Sequence, residues 1–251
     1  MHLATRKSTG TKMNKFIFDV DGTLTPSRGI IDSNFHDWFL EFIKNNKCWL
    51  VTGSDYPKTV EQLGVDICER VVTVYNCNGN DVWFKGKRVN SSDWKLTEDA
   101  HEWLSEELTA SEFTLRTGQH FEHRKGMCNF SIVGRGATKE QRAQYVEWDK
   151  EFNERSYIAH NFNLKFPTLE AKVGGETGID ISAKGRDKSQ ILQDFDVNGD
   201  GRIFFFGDAM HPEGNDYPLA QANTSGRNFH VTGWNQTKEY LQWLQDAGDA
   251  S

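Results

Sequence analysis

At 251 residues with a formal net charge of −7 and a pI near 5.6, the chain can bury one large core or two modest ones. It is too acidic for a dedicated nucleic-acid surface, which is normally basic. Its longest apolar runs are strand-sized, well short of the about 20 residues a membrane helix needs, so no membrane partner is expected. The four cysteines, Cys48, Cys68, Cys77 and Cys128, form no C-x-x-C pair. Neither a zinc site nor a disulfide framework is therefore expected, and a reducing cytoplasm is the natural location. Residues 1–13 are polar, lack the apolar middle of a secretory signal, and read as a disordered tail.

Strand-like apolar runs recur with helical patterns between them, the signature of βα units on a parallel sheet. Phe16 to Phe18 is the first candidate strand. Phe35, Trp38, Phe39, Phe42 and Ile43 then follow helical spacing, with Asp32 or Ser33 as a cap. Trp49 to Thr52 is a second strand, Pro57 opens another helix, Val71 to Tyr75 is a third strand, and Val82 to Val89 a small hairpin. The character changes near Asn90. A helix over Thr97 to Leu108 precedes Phe113 to Ser131, whose alternating aromatic and β-branched residues suggest antiparallel strands. Thr138-Lys139-Glu140-Gln141 is a capping box opening a further helix, and strands are expected around Leu164 and Ile179. After Gly185 the βα pattern returns, with a helix from Lys188, a strand over Ile203 to Phe206 and a last helix over Lys238 to Gln245. The expected fold is an α/β core with a parallel sheet, residues 14–90 and 187–251, interrupted by an inserted α+β cap with an antiparallel sheet, residues 91–186.

The chemistry concentrates in F-D-V-D-G-T-L-T, Phe18 to Thr25. Alternation in extended chain puts Asp19 and Asp21 on one side, and Gly22 allows a sharp turn. Acids held this close repel each other and need a proton or a cation between them. A hard divalent ion such as Mg2+ suits oxygen ligands that meet a phosphate. Three further motifs follow in order: Thr52 at a strand end, Lys188 at a helix start, and Gly207-Asp208 with Gly214-Asn215-Asp216 beyond a strand. Open parallel sheets place ligands at such carboxyl ends.

D-x-D-G-T-x-T, a threonine, a lysine and G-D-x(7)-D together resemble the haloacid dehalogenase (HAD) superfamily of phosphotransferases, and a Rossmann-like HAD core is the fold that resemblance implies. It also implies that Asp19 is the nucleophile, forming an aspartyl phosphate, and that Asp21 is the general acid/base, with Thr52 and Lys188 steadying the phosphoryl group. Mg2+ would be held by Asp19, the backbone carbonyl of Asp21, and Asp208, with Asn215 and Asp216 in support.

The stretch Arg124-Lys125-Gly126-Met127-Cys128-Asn129-Phe130-Ser131-Ile132-Val133-Gly134-Arg135 is similar to R-N-G-M-x-N-x-S-P-x-G-R of eukaryotic-type phosphomannomutases. The likeness runs from Asn14 across nearly the whole chain and includes D-G-T-L-T-P-S-R, E-Q-L-G and G-D-A-M-H-P-E-G-N-D. It implies that Arg124, Arg135 and Arg142, joined by Arg28 from the core, grip the distal phosphate of a hexose phosphate. Asn129 and Asp180 would contact the sugar. The implied reaction interconverts mannose 6-phosphate and mannose 1-phosphate, with a hexose 1,6-bisphosphate as activator and a homodimer formed through the cap. Gly178 replaces a family serine at the substrate site, Ile132 replaces a proline, and Ala220, Ala222 and Ser225 leave the family's second cation site without its carboxylate. The alternative is a Mg2+-dependent HAD sugar-phosphate phosphatase using the same residues. Asp196-x-Asn198-x-Asp200-Gly201 imitates the start of an EF-hand, but Gly207 stands where the bidentate glutamate belongs, so an acidic turn is expected there.

Overall fold

The computed structural model describes residues 13–196, 201–212 and 214–250. Asn198 and Asp200 of the EF-hand-like segment lie outside the described residues, as do residues 1–12 of the expected tail.

A seven-stranded sheet organises the molecule, in the order β11-β10-β1-β2-β3-β4-β5. Five of its strands are parallel: β1 (Lys15–Phe18), β2 (Lys47–Val51), β3 (Thr73–Asn76), β10 (Ile203–Gly207) and, at one edge, β11 (Arg227–His230). The hairpin β4 (Asp81–Phe84) and β5 (Lys87–Ser91) closes the other edge antiparallel. Strands covered on both faces read as continuous apolar runs rather than alternating ones, which accounts for F-I-F in β1 and I-F-F-F in β10. The parallel register sets Phe16 beside Phe204 and Phe18 beside Phe206. Their rings stack at centroid distances of 5.2 and 5.0 Å. On that face α1 (Ser33–Asn45) packs through Phe35, Phe39, Phe42 and Ile43. Asp32 starts this helix by accepting from the backbone N–H groups of Asn34 and Phe35, which would otherwise lack partners. Ile17, Val51 and Phe205 point to the opposite face.

A four-stranded antiparallel sheet, β6-β7-β9-β8, comes from the chain between β5 and Lys188. It comprises β6 (Phe121–Arg124), β7 (Met127–Phe130), β8 (Leu169–Gly174) and β9 (Gly178–Ala183). Three helices accompany it: α4 (Glu98–Ala110), α5 (Lys139–Phe152) and α6 (Glu154–Lys165). Phe130, Ala171, Ile179 and Ile181 join Leu104, Tyr145, Ile158 and Phe162 in a separate apolar cluster. The alternate residues Glu122, Asn129, Asp180 and Lys172 form one cross-strand row on the other face. One face is therefore apolar and the other polar, as the period of two requires.

Several expectations are corrected. Leu164 is not in a strand: Ile158, Ala159 and Phe162 recur at helical spacing and bury one side of α6, leaving Leu164 exposed, and the strand starts only at Leu169. The segment from Lys188 is a short 3-10 helix, Lys188–Asp194, not an α-helix. Between Phe113 and Ser131 only β6 and β7 are strands. The chain before them is irregular, and the Arg116 guanidinium donates to the carbonyls of Leu108, Ser111, Phe113 and Leu115. The last helix, α8 (Trp234–Asp246), begins four residues early. Two short helices, α3 (Val65–Arg70) and α7 (Tyr217–Ala222), and strand β11 were not anticipated; α2 (Tyr56–Leu63) carries the expected early proline. Among the described residues no helix is long and apolar enough to cross a membrane.

Phe206 is fully buried and stacks on both Phe18 and Phe229. Phe206→Ala should cost about 3–5 kcal/mol, read as a lower urea midpoint at unchanged slope.

Candidate active site

β1 and β10 end side by side, and each is followed at once by a carboxylate. Asp19 is anchored by its own backbone N–H, which donates to the Phe206 carbonyl at 2.9 Å. The chain then turns at Gly22, where φ is +76° and a Cβ would lie 2.2 Å from Asp208 Oδ2. The turn and the approach of the second carboxylate both require glycine. Lys188, with no exposed surface, donates to Asp19 Oδ1 at 2.5 Å and to Asp216 Oδ1 at 2.7 Å. Asp216 Oδ2 accepts from the Ala209 backbone N–H at 3.1 Å.

Carboxylate oxygens of Asp19, Asp208 and Asp216 lie within 4.8 Å of one another. One ammonium faces three carboxylates, so negative charge is in excess. Burial pushes the Asp19 carboxyl well above its ordinary range; the Lys188 ammonium opposes that rise, and Asp216 and Asp208 add to it. For Lys188 burial disfavours the charged form, but Asp19 and Asp216 outweigh it and hold the ammonium above its usual value. Asp208 is raised by burial and by Asp216. Asp19 Oδ2 is buried without a hydrogen-bond partner among the described residues. An all-oxygen cluster with surplus negative charge and an unpartnered oxygen fits a hard divalent cation. Asp216 thus holds Lys188 and also belongs to the carboxylate cluster.

Asp21, half-buried, is fixed through one oxygen. Its Oδ1 accepts from the Arg28 backbone N–H at 2.6 Å and from Gln62 Nε2 at 2.8 Å, while Ser54 Oγ donates to Oδ2 at 3.4 Å. Gln62 is buried and also donates to Thr25 Oγ1 and the Gly29 carbonyl. Neither Gln62 nor Ser54 was singled out in the sequence as a site residue. The available signal was an amide on the apolar side of α2, where a buried polar group needs partners. Thr52 is 1% exposed, and its hydroxyl accepts from the Ser54 backbone N–H at 3.1 Å.

A cavity of about 790 Å³ opens above these groups, lined from below by Asp19, Asp21, Thr52, Asp208 and Asn215. From above it is lined by Arg124, Asn129, Arg135, Arg142, Gly178 and Asp180, and Arg28 also borders it. The structure thus brings every residue proposed from sequence to this cavity except Lys188 and Asp216; Lys188 sits beneath it, bonded to Asp19 on one side and to Asp216 on the other. Arg142 makes two hydrogen bonds to Glu176 Oε2, at 2.9 and 3.1 Å. Asn129 Nδ2 donates to Asp180 Oδ1 at 2.6 Å. Burial raises the Asp180 carboxyl, and Asn129, Arg124 and Arg135 only partly offset that.

Gly178 and Gly174 face each other across β8 and β9. A Cβ at 178 would stand 2.4 Å from Asn129 Nδ2, and one at 174 would stand 2.3 Å from Asp180 Oδ2. Asn129 thus occupies space that a side chain at 178 would take. Gly178→Ser should push Asn129 off Asp180 and change the Michaelis constant for a sugar phosphate; an unchanged constant, with Asn129 still on Asp180 in the variant's structure, would contradict this packing.

Residues 35–245 match the family model described as eukaryotic phosphomannomutase. The phosphomannomutase of Saccharomyces cerevisiae is 32% identical over 219 residues, covering 81% of this chain and 83% of its own. A probable phosphomannomutase of Caenorhabditis elegans is 32% identical over 244 residues, 90% of this chain and 93% of its own. Phosphomannomutase 1 of Homo sapiens is 30% identical over 223 residues, 84% and 85% respectively. Among solved structures, a trehalose-6-phosphate phosphatase related protein superposes with a TM-score of 0.57 at 17% identity, covering 94% of this chain and 98% of that one. A truncated Plasmodium falciparum IMP-nucleotidase does so with a TM-score of 0.60 at 16% identity, covering 92% and 69%. At such identities these likenesses establish a shared fold alone. By family model and by relatives across most of its length, the chain belongs to the eukaryotic phosphomannomutase family.

Proposed function

We propose that the protein is a phosphomannomutase that interconverts mannose 6-phosphate and mannose 1-phosphate through a phosphorylated Asp19. The observation that carries this reading is one cavity set between a carboxylate cluster that fits a hard cation and a group of arginines. Asp19, Asp21 and Asp208 line its floor, with Lys188 beneath them, and four arginines border it from above and the side. The cavity volume is of the order a sugar phosphate needs. We take residues 14–90 and 187–251 as the core and 91–186 as the cap.

A carboxylate is a weak nucleophile toward phosphate because both are anions. Lys188 reduces that repulsion and, together with the Thr52 hydroxyl, steadies the equatorial oxygens as they gain charge. In the first half-reaction an Asp19 oxygen forms a bond to phosphorus while the bond from phosphorus to the sugar oxygen breaks, and Asp21 delivers a proton to the departing oxygen. In the second, Asp21 takes the proton from an incoming sugar hydroxyl, which attacks the aspartyl phosphate and frees Asp19. Gln62 and the Arg28 backbone N–H hold one oxygen of Asp21 closely, so the other, met only by the long Ser54 hydroxyl contact, is the oxygen for proton transfer. A hexose 1,6-bisphosphate supplies the phosphoryl group that first charges Asp19. The bisphosphate must turn round so that either phosphate meets Asp19 while the other rests on Arg28, Arg124, Arg135 and Arg142. Asn129 and Asp180 contact the sugar between them, above the bare backbone of Gly178. Mg2+ would be held by Asp19, the Asp21 carbonyl and Asp208, with Asn215 and Asp216 in support, and when bound it supplies charge neutralisation and Lewis-acid polarisation of the phosphoryl oxygens. Closure of the cap over the cavity would exclude water and favour transfer to sugar over hydrolysis.

The runner-up, a sugar-phosphate phosphatase, differs only in its acceptor. Incubation with mannose 1-phosphate, Mg2+ and a trace of glucose 1,6-bisphosphate should yield mannose 6-phosphate; release of inorganic phosphate without the isomer would establish the phosphatase instead. Asp19→Asn should abolish either activity and, because it removes one of the two partners of buried Lys188, should also lower the melting temperature; a folded circular-dichroism spectrum at the assay temperature would show that the lost activity is chemical.

A cytoplasmic location and a homodimer formed through the cap complete the proposal. The location is supported by four free, buried cysteines. The dimer is supported by the exposed Phe152, Tyr157 and Leu164 on α5 and α6. Sedimentation should report a dimer that Tyr157→Glu with Leu164→Glu dissociates; a monomeric parent would remove this element of the proposal.

A further inference from the structure

Glu122, on β6, borders the cavity between two of its arginines and has so far been given no task. An anion at the rim of a phosphate site repels the ligand, so its presence demands a compensating benefit. Its two oxygens are divided between two side chains. Oε1 accepts from Arg124 Nε at 2.8 Å, and Oε2 pairs with Arg135 Nε. Both contacts use the inner Nε–H of a guanidinium, which leaves the terminal nitrogens uncommitted to Glu122. One Arg135 terminal nitrogen reaches Asn129 Oδ1 at 3.4 Å.

The two arginines come from separate segments. Arg124 ends β6, and Arg135 follows β7 in a loop whose backbone N–H donates to the Gln119 carbonyl. Nothing in the strand register alone would align their side chains. Arg135 also stands in the field of Arg124, Arg28 and Arg142, which repel it. A single carboxylate between two guanidinium groups relieves that repulsion and fixes both planes. It balances only part of the charge, so the cluster remains cationic toward a dianion.

We propose that Glu122 is a positioning residue that joins Arg124 and Arg135 into one preformed grip for the phosphate that is not being transferred. The inference rests on the reading of the cap arginines as phosphate ligands. Each terminal N–H pair then meets the phosphate with its orientation already set, which cuts the ordering cost of binding. Both Glu122 oxygens are engaged by the arginines, so its effect is exerted through them.

The test is a double-mutant cycle on the full chain with Glu122→Gln, Arg135→Ala and the double variant, measuring kcat and KM for mannose 1-phosphate and the competing affinity of inorganic phosphate. Glu122→Gln keeps the shape and one hydrogen bond but loses the charge. It should raise KM roughly tenfold with kcat little changed, the signature of lost uniform binding. In the Arg135→Ala background the same substitution should have much less effect, because it acts through that arginine. A lowered KM in Glu122→Gln would mean that the carboxylate merely competes with substrate, and full additivity would mean that it acts independently; either result overturns the proposal. If Arg135→Ala leaves KM unchanged, the phosphate-grip reading itself fails; if Arg135→Ala weakens binding and Glu122→Gln does not, only the positioning role fails. Glu122→Asp, which keeps the charge but is too short to span both arginines, guards against misfolding of the first variant. It should also raise KM, whereas parent-like kinetics would show that charge alone suffices and would overturn the proposal.

Discussion

The contact between Lys188 and its two carboxylates is the constraint on which the rest depends. A lysine with no exposed surface is tolerable only when its ammonium is fully paired, and here Asp19 and Asp216 supply the partners. Those two acids come from opposite ends of the chain, beyond β1 and β10 respectively. Satisfying one buried charge therefore pins the start of the sequence, the Lys188 turn and the C-terminal loop to a single point. The surplus negative charge of the Asp19, Asp208 and Asp216 cluster is what fits that point to a hard divalent cation.

The seven-stranded sheet makes this meeting geometrically possible. β1 and β10 lie adjacent and parallel with Phe18 level with Phe206, so the residues after each strand emerge at the same edge. Stacked phenylalanine rings on one face fix the register, and a slip of one residue would send every ring to the wrong side. The packing of apolar side chains thus decides where the carboxylates stand. Gly22 completes the arrangement, since any side chain there would displace Asp208.

The polar face of the second sheet obeys the same logic with opposite character. Because β6 to β9 bury only one face, alternate residues are free to be polar, and Glu122, Asn129, Asp180 and Lys172 fall into one row across four strands. The pairing of Asn129 with Asp180 and of Glu122 with two arginines gives this row a fixed pattern of donors and acceptors. The absence of side chains at Gly174 and Gly178 leaves the space that Asn129 and Asp180 occupy. Local glycine choice and long-range side-chain pairing are here two views of one packing solution.

The sequence by itself determined the βα alternation, the carboxylate motifs, the interrupting antiparallel segment and the likeness to phosphomannomutases. These are local or short-range signals: runs of apolar residues, Asp19 and Asp21 two apart, Asp208 and Asp216 eight apart. Leu164 misled because a short apolar patch reads alike as strand or helix until its neighbours Ile158 and Phe162 are packed. β11 and α7 were missed because R-N-F-H and Y-P-L-A-Q-A carry too little apolar pattern to declare themselves. Only the tertiary structure decided that Gln62 and Ser54 hold Asp21, that Asp216 pairs with Lys188, and that Glu122 unites two arginines. Those contacts join residues brought together by the closing of sheets and loops, and sequence spacing carries no record of such distances.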